Sequence, residues 1–108
     1  MTTTISTEAR LATLINVFTV RPERQRELVD LLVTATEEVI RHRPGFISAN
    51  IHAALEGDRV VNYAQWESPE ALQAMRDDPE AQVHMRQAAA VAESFEPRLH
   101  TVASVHHR

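Results

Sequence analysis

The stretch FISANIHAALEGDRVVNYAQWES, residues 46–68, decides the fold. Its two flanks, residues 46–55 and 59–68, have the aromatic and β-branched content that is typical of strands. Between them, Glu56, Gly57 and Asp58 have the composition of a tight turn. The sequence therefore predicts a β-hairpin made of two antiparallel strands.

The residues before this hairpin predict one strand and one long helix. The run LATLINVFTV, residues 11–20, reads as a strand that is closed by Pro22. From residue 22 to about residue 42, apolar residues recur at spacings of three and four, which predicts an amphipathic helix. Pro44 and Gly45 end that helix, because proline disfavours a helical conformation before it and glycine tolerates a positive φ.

The residues after the hairpin carry two helix-start signals. Ser68 with Pro69, and Asp78 with Pro79, each pair a capping residue with a proline at the first helical position. We expect two short helices, the second reaching about residue 92, and then a fourth strand over residues 98–105. The order β-α-β-β-α-β predicts an α+β, ferredoxin-like fold with a four-stranded antiparallel sheet. Residues 1–108 form one domain in this interpretation, with residues 1–10 as a flexible N-terminal arm.

One face of the predicted sheet has no helix to cover it. Strict alternation along the hairpin strands assigns Ile47, Ala49, Ile51, Val61 and Tyr63 to that face. Such a face is too apolar for a small monomer to leave exposed. The sequence therefore predicts a homodimer formed through the sheet faces, which is a dimeric α+β barrel.

Composition excludes several classes of function. The chain has 11 basic and 15 acidic residues and a formal net charge of −4, so neither nucleic acid nor an anionic membrane is an expected partner. It has no cysteine, which removes disulfides and thiolate chemistry and makes the cytoplasm the expected setting. Its two glycines cannot form a dinucleotide or phosphate loop. Its six histidines show no paired metal-ligand spacing, and no metal or other cofactor is expected.

The third strand supplies the candidate functional residues. Its period of two places Asn62, Ala64 and Trp66 on one face, and the parity of the second strand places Phe46 and His52 beside them. If this face lies under the helices, these side chains project into a cleft between sheet and helices. An amide, an imidazole and an indole in an apolar surround suit a flat aromatic ligand that carries ring oxygens.

Arg86, next to Met85 on the last helix, is expected to reach into the same cleft from above. Each polar candidate also has a simpler explanation. Trp66 alone is an ordinary core residue, Asn62 can satisfy buried backbone groups, His52 can be a satisfied strand histidine, and Arg86 can be a solvated charge. Only their convergence in one cleft would favour a functional site.

The segments RPGF, residues 43–46, and VVNYAQWES, residues 60–68, resemble the antibiotic biosynthesis monooxygenase family, in particular its anthrone-oxidising members. The resemblance implies a dimeric α+β barrel and a cofactor-free oxygenation of an anthrone to a quinone, with a small aromatic substrate and O2. It further implies that Asn62 and Trp66 hydrogen-bond substrate oxygens and that Arg86 supplies positive charge. His52 is a candidate base or proton shuttle. Phe46, Ala64, Leu72 and Met85 would contact the substrate.

One position departs from the family pattern. Leu72 stands where a tyrosine would be expected in the cleft, so the phenol that could relay a proton is missing. A non-catalytic binding module for an aromatic or quinone-like ligand is therefore an alternative, and a purely structural interaction domain is a third. Haem-degrading members of the fold have a tryptophan and a histidine ligand at the positions where this chain has Met75 and Met85. His84 is one residue before Met85 and so lies about 100° from it around the helix. The sequence therefore does not favour haem degradation.

Overall fold

The computed structural model describes residues 2–108 and contains four strands and three α-helices. The strands are β1 Ala12–Thr19, β2 Phe46–Ala53, β3 Arg59–Trp66 and β4 Ser94–His100. The helices are α1 Gln25–Glu38, α2 Pro69–Asp77 and α3 Pro79–Val91. Short 3-10 turns, Pro22–Arg24 and Ile40–His42, flank α1, so the predicted long helix is present with tightened ends.

The sheet has the strand order β2-β3-β1-β4, and every neighbouring pair is antiparallel. The main core lies between this sheet and the helices, which cover one face. This is the ferredoxin-like arrangement, and it confirms the predicted α+β fold with its β-α-β-β-α-β order.

The fourth strand begins earlier than predicted. The backbone N–H of Glu93 donates to Thr19 O at 2.8 Å, so pairing with β1 starts directly after α3. The ladder then runs from Ser94 to His100 and ends opposite Thr13. The prediction of a strand over residues 98–105 is wrong. β4 pairs with β1 along its length and can extend only as far as β1 offers partners, which is residue 100. Residues 101–108 form neither helix nor strand.

Both predicted helix starts are confirmed. Ser68 Oγ accepts a hydrogen bond from the backbone N–H of Ala71 at 3.1 Å, and Asp78 Oδ2 accepts one from Ala81 at 2.9 Å. Each cap contributes about 1 kcal/mol to the stability of its helix. Together they fix where α2 and α3 begin and therefore which side chains face the sheet.

The turn before β2 packs tightly against α2. Gly45 has a φ of +86°, and a Cβ at this position would lie 2.5 Å from the Cβ of Ala71. Its carbonyl accepts a hydrogen bond from the N–H of Glu67 at 2.8 Å. Glycine is therefore required here, and the close approach places Phe46 opposite Trp66 at the start of the hairpin.

Two clusters of buried residues fill the space between sheet and helices. The Trp66 cluster lies at one end and the Leu28 cluster at the other. The Trp66 cluster contains Ala12, Leu14, Val39, Ala64, Trp66, Leu72, Met75 and Ala81. The Leu28 cluster contains Phe18, Val20, Leu28, Val60, Ala88 and Val91.

A β-bulge near the start of β2 reverses the predicted parity of that strand. Phe46 pairs with Trp66, but the next pair is Ser48 with Gln65, so Ile47 is inserted between them. Past the bulge, Ala49 and Ile51 face the helices, and Ser48, Asn50 and His52 face the other side, here called the outer face. The predictions that His52 shares a face with Asn62, and that Ala49 and Ile51 face outward, are wrong. One inserted residue moves every later side chain to the opposite face.

The N-terminal residues lie across the outer face. Thr3 Oγ1 donates to Asn50 Oδ1 at 2.8 Å, and Gln65 Nε2 donates to the carbonyl oxygen of Thr4 at 2.7 Å. In the described part of the chain, no helix has the length and apolar character needed to cross a membrane.

Candidate functional site

A cleft of about 310 Å³ lies between the helices and the sheet, where the two clusters meet. Its volume is at the lower end of the range of about 300–1,000 Å³ that is typical of ligand pockets. Most of its wall is apolar, as expected for a site that binds an aromatic ring system. The lining residues are Leu14, Asn16, Phe18, Leu32, Ala35, Ile40, Asn62, Met75, Arg76, His84, Met85, Ala88, Ala89, Phe95 and Pro97.

The floor of the cleft carries two amides that face each other across neighbouring strands. Asn16 on β1 pairs directly with Asn62 on β3, and both side chains line the cleft. The Oδ1 atom of each is buried and has no hydrogen-bond partner within residues 2–108. An unpaired buried acceptor costs about 1–3 kcal/mol, so the pair is a ready acceptor site for hydroxyl groups of a ligand.

The helices supply two titratable side chains to the same cleft. Arg76 belongs to the last turn of α2, and His84 belongs to α3. Gln82 Nε2 donates to the carbonyl oxygen of Arg76 at 3.0 Å, which ties the end of α2 to α3. The cleft therefore has an amide floor and a roof with a guanidinium and an imidazole.

The structure places the predicted site residues in three environments: the cleft, the core beside the cleft, and the surface outside it. Asn62 and Met85 line the cleft, as predicted. The other apolar or aromatic candidates pack beside the cleft in or against the Trp66 cluster instead of lining it; these are Phe46, Ala64, Trp66 and Leu72.

Trp66 is the largest fully buried side chain, with 1% of its surface exposed. Its ring meets Phe46 edge-on, with the ring centroids 5.4 Å apart. Leu72 is equally buried, so it fills the core at the position where the resemblance implies a tyrosine. Both residues thus support the wall of the cleft from behind.

The predicted positions of His52 and Arg86 are wrong. His52 lies on the outer face because of the bulge, and its Nδ1 is 3.1 Å from Asn50 O. Arg86 is exposed to solvent. His84, Met85 and Ala88 of α3 line the cleft. Arg86 is two residues after His84 and therefore lies about 200° from it around the helix axis, away from the cleft.

Three residues of the cleft were missed by sequence reasoning. Asn16 lies inside an apolar strand, and a lone amide in such a strand is the one signal that the sequence offers for it. Nothing in the sequence pattern marks Arg76, and the spacing of His84 is informative only about metal or haem ligation, which it does not favour. The register of β1 against β3 and the helical phase of α3 would have been needed to find them.

A network of ion pairs holds the start of α3. Arg43 Nη2 lies 3.0 Å from Asp78 Oδ2 and 2.8 Å from Glu80 Oε1. The pKa of Asp78 is lowered, first by the hydrogen bond from the Ala81 backbone and then by Arg43, and the pKa of Arg43 is raised. These contacts join the turn before β2 to the helix that carries His84.

Within residues 2–108 no three His, Cys, Asp or Glu side chains come close enough together to share a metal ion.

Fold and cleft together define a class: a small α+β domain that encloses an aromatic-sized ligand site between its helices and its sheet. Residues 11–87 match the family model for antibiotic biosynthesis monooxygenases, and the chain belongs to this family. It is therefore an enzyme of the monooxygenase type.

Named relatives agree with this assignment. The chain is 52% identical over 89 residues to tetracenomycin-F1 monooxygenase of Streptomyces glaucescens, covering 82% of this chain and 80% of that protein. Among solved structures it resembles the ActVA-Orf6 monooxygenase of Streptomyces coelicolor in complex with nanaomycin D. That match has a TM-score of 0.80 and 30% identity over 90% of this chain and 91% of the other. A point mutant of SnoaB, a cofactor-independent oxygenase from Streptomyces nogalater, shares the fold with a TM-score of 0.73 and 22% identity over 90% of this chain and 97% of that one.

Proposed function

We propose that this chain is a cofactor-independent monooxygenase that oxidises a polycyclic aromatic, anthrone-type polyketide intermediate to a quinone with O2. The observation that carries the proposal is a pair of amide oxygens, Asn16 Oδ1 and Asn62 Oδ1, on the floor of a mostly apolar cleft, both without a hydrogen-bond partner among the described residues. Phenolic hydroxyls on a flat ring system would satisfy both acceptors. The named relatives support the class of substrate, since one acts on tetracenomycin F1 and another was crystallised with nanaomycin D.

The reaction needs no bound redox group if the substrate itself becomes electron-rich. Removal of a proton from the ring methylene gives an enolate, which can donate electrons to O2 and form a carbon peroxide. Loss of water from that peroxide leaves the quinone carbonyl, so one methylene group and one O2 give one carbonyl group and one water. The protein must then hold the enolate oxygen, and preorganised donors aimed at a developing oxyanion are worth about 3–4 kcal/mol each.

In this proposal, Asn62 and Asn16 bind the oxygens of the substrate and Met85 contacts its rings. Phe46, Ala64, Trp66 and Leu72 keep the floor rigid from behind, which preserves the position of the amides. No step is assigned to His52 or Arg86, because neither reaches the cleft.

Incorporation of labelled oxygen tests the reaction. The purified, metal-free protein is incubated with dithranol, a dihydroxyanthrone, under ¹⁸O2, and the quinone is analysed by mass spectrometry against the spontaneous reaction. We expect faster quinone formation with one ¹⁸O per product. Binding of dithranol without acceleration would contradict the proposal and favour the binding-module alternative, which the apolar Leu72 in place of a tyrosine supports.

We also propose that the chain is a homodimer through the outer faces of its sheets. Ile15, Val61 and Tyr63 lie half-buried on this face, and the Tyr63 hydroxyl is buried with no hydrogen-bond partner in the described part of the chain. Light scattering after size exclusion should give twice the chain mass, and Val61→Lys should give the monomer mass. A monomeric wild type would contradict this proposal.

A further inference from the structure

We infer that Arg76 and His84 act on the substrate as a pair, His84 taking the proton and Arg76 holding the negative charge that remains. The inference rests on the proposed function for the identity of the reaction. It assigns to the cleft a specific ligand chemistry, the phenolate or enolate of a polycyclic aromatic. Neither residue is the one that the family resemblance implies for these tasks.

The first argument is the charge of the cleft wall. Of the described residues that line the cleft, Arg76 and His84 are the titratable ones, and no carboxylate is among these residues. The lining residues from α1, β1, β3 and β4 are uncharged. This is a positive site in a chain whose formal net charge is −4. An anionic ligand would be favoured there over a cationic one.

The second argument is that both side chains are free to meet a ligand. Arg76 and His84 are half-buried, and neither side chain has a hydrogen-bond or ion-pair partner in the part of the chain that the structure describes. Many of the other arginines are engaged with acids on the surface. Arg43, for example, binds both Asp78 and Glu80. A partly desolvated guanidinium without an acid partner is suited to an oxyanion, because guanidinium binds oxygen anions through several N–H groups.

The third argument is position. The bond from Gln82 Nε2 to the Arg76 carbonyl holds the end of α2 against α3, so the two residues approach the cleft from a joined pair of helices. His84 lies with Met85, Ala88 and Ala89 on the cleft side of α3. The Asn16 and Asn62 amides lie on the sheet side. A substrate between the two layers thus has hydroxyl acceptors on one side and the proton acceptor and cation on the other.

The chemical step balances with these groups alone. The imidazole of His84 takes a proton from the ring methylene, and the electron pair moves to the ketone oxygen, where Arg76 holds the enolate charge. The enolate adds O2 at the same carbon, and the imidazolium returns its proton to the peroxide. His84 then removes the second C–H proton as the O–O bond breaks, and the departing hydroxide takes that proton and leaves as water. Histidine is the side chain that exchanges protons most readily near neutral pH.

Kinetics with matched histidine variants form the first test. His84→Gln should lower kcat for dithranol by about 100-fold or more and should remove the rise of kcat with pH that a neutral base produces. His42→Gln, which alters an exposed histidine bonded to the Glu37 carbonyl, should change neither quantity. His52→Gln is the rival, since the sequence makes that residue a candidate base. Loss of the pH dependence in His52→Gln, with His84→Gln unaffected, would overturn the inference.

A dye that needs no turnover separates this inference from the proposed function. Alizarin, a dihydroxyanthraquinone, changes colour when its phenol ionises. Bound to the wild type, it should ionise about one pH unit or more below free alizarin, because an opposite charge nearby favours the anion. Arg76→Gln should remove most of this difference, whereas Arg26→Gln, at an exposed position on α1, should leave it intact.

The outcomes of the dye experiment are distinct. Failure of alizarin to bind, or ionisation at the same pH bound and free, would overturn the inference, and so would an unchanged difference in Arg76→Gln. A wild type that ionises the dye through Arg76 but does not accelerate dithranol oxidation would support the anion site and contradict the proposed function.

Discussion

Replacing Asn62 by leucine should stabilise the free protein and inactivate it at the same time. The Oδ1 atom of Asn62 is buried without a partner in the described part of the chain, and an unsatisfied buried acceptor costs about 1–3 kcal/mol. Leucine removes the polar group, and its extra volume can enter the cleft of about 310 Å³. We therefore expect the free energy of unfolding to rise by about 1–2 kcal/mol. For a domain of this size, that corresponds to an increase in Tm of about 4 °C or more.

The same substitution should lower kcat for dithranol by about 100-fold, the usual effect of losing a contact that positions the substrate. Stability is measured by urea unfolding and calorimetry, and activity by quinone absorbance. The matched control is Asn50→Leu on β2. Asn50 Oδ1 accepts a hydrogen bond from Thr3 and its Nδ2 donates to Tyr63 O at 3.1 Å, so both polar groups are satisfied. This variant should lose about 1–3 kcal/mol of stability and keep its kcat.

The two variants should thus move stability and activity in opposite directions. If Asn62→Leu were less stable than the wild type by as much as Asn50→Leu, the Asn62 amide would be satisfied in solution. If it were more stable and fully active, the amide would not serve the reaction. Either result would refute the reasoning that an unpaired amide marks the site.

Three further substitutions test the support of the site. Trp66→Ala should cost about 3–5 kcal/mol in urea unfolding, because the side chain is fully buried; a cost below about 1 kcal/mol would mean that the ring is not core. Both glycines have a positive φ, but only a Cβ at Gly45 would lie as close as 2.5 Å to another atom, the Cβ of Ala71. Gly45→Ala should therefore be more destabilising than Gly57→Ala; equal losses would show that the backbone around residue 45 shifts at little cost. The lowered pKa of Asp78 means that the folded chain binds fewer protons there, so its contribution to stability is present above about pH 4 and is lost as pH falls further. Asp78→Asn should make the free energy of unfolding fall less steeply as the pH is lowered below about 4. An unchanged pH dependence would contradict a lowered pKa of Asp78.

Local chemistry explains which parts of the fold were predictable. Some signals depend only on neighbouring residues of the chain. These are the Ser68 and Asp78 caps, the prolines that follow them, and the glycine turn at residue 57. Their hydrogen bonds and backbone angles are accordingly found where the sequence indicates them. The order of strands and helices follows from these boundaries.

The outer-face prediction failed because one residue changed the parity of β2. The apolar residues Phe46, Ala49 and Ile51 are spaced by three and then by two, which is the trace of the bulge at Ile47 in the sequence. Alternation alone treats the strand as regular and therefore assigns His52 to the wrong face. Resolving this requires the register against β3, which is a long-range property.

The site was predicted in part for a related reason. Asn62 follows from the period of β3, since that strand pairs with β1 in an unbroken register. Asn16 depends on the pairing of β1 with β3, and Arg76 and His84 depend on how α2 and α3 sit over the sheet. The expectation for Arg86 rested on its place beside Met85 on the last helix, whereas the phase of α3 directs that residue to solvent.

Oxygen uptake by the metal-free protein tests the central claim most directly. The electrode trace with dithranol is compared among the wild type, the Asn16→Leu/Asn62→Leu double variant and the spontaneous reaction. The account predicts uptake well above background for the wild type and uptake near background for the double variant, which should still be folded. Wild-type uptake at the background rate, or equal uptake by the double variant, would contradict the claim that oxygenation occurs in this cleft without a cofactor.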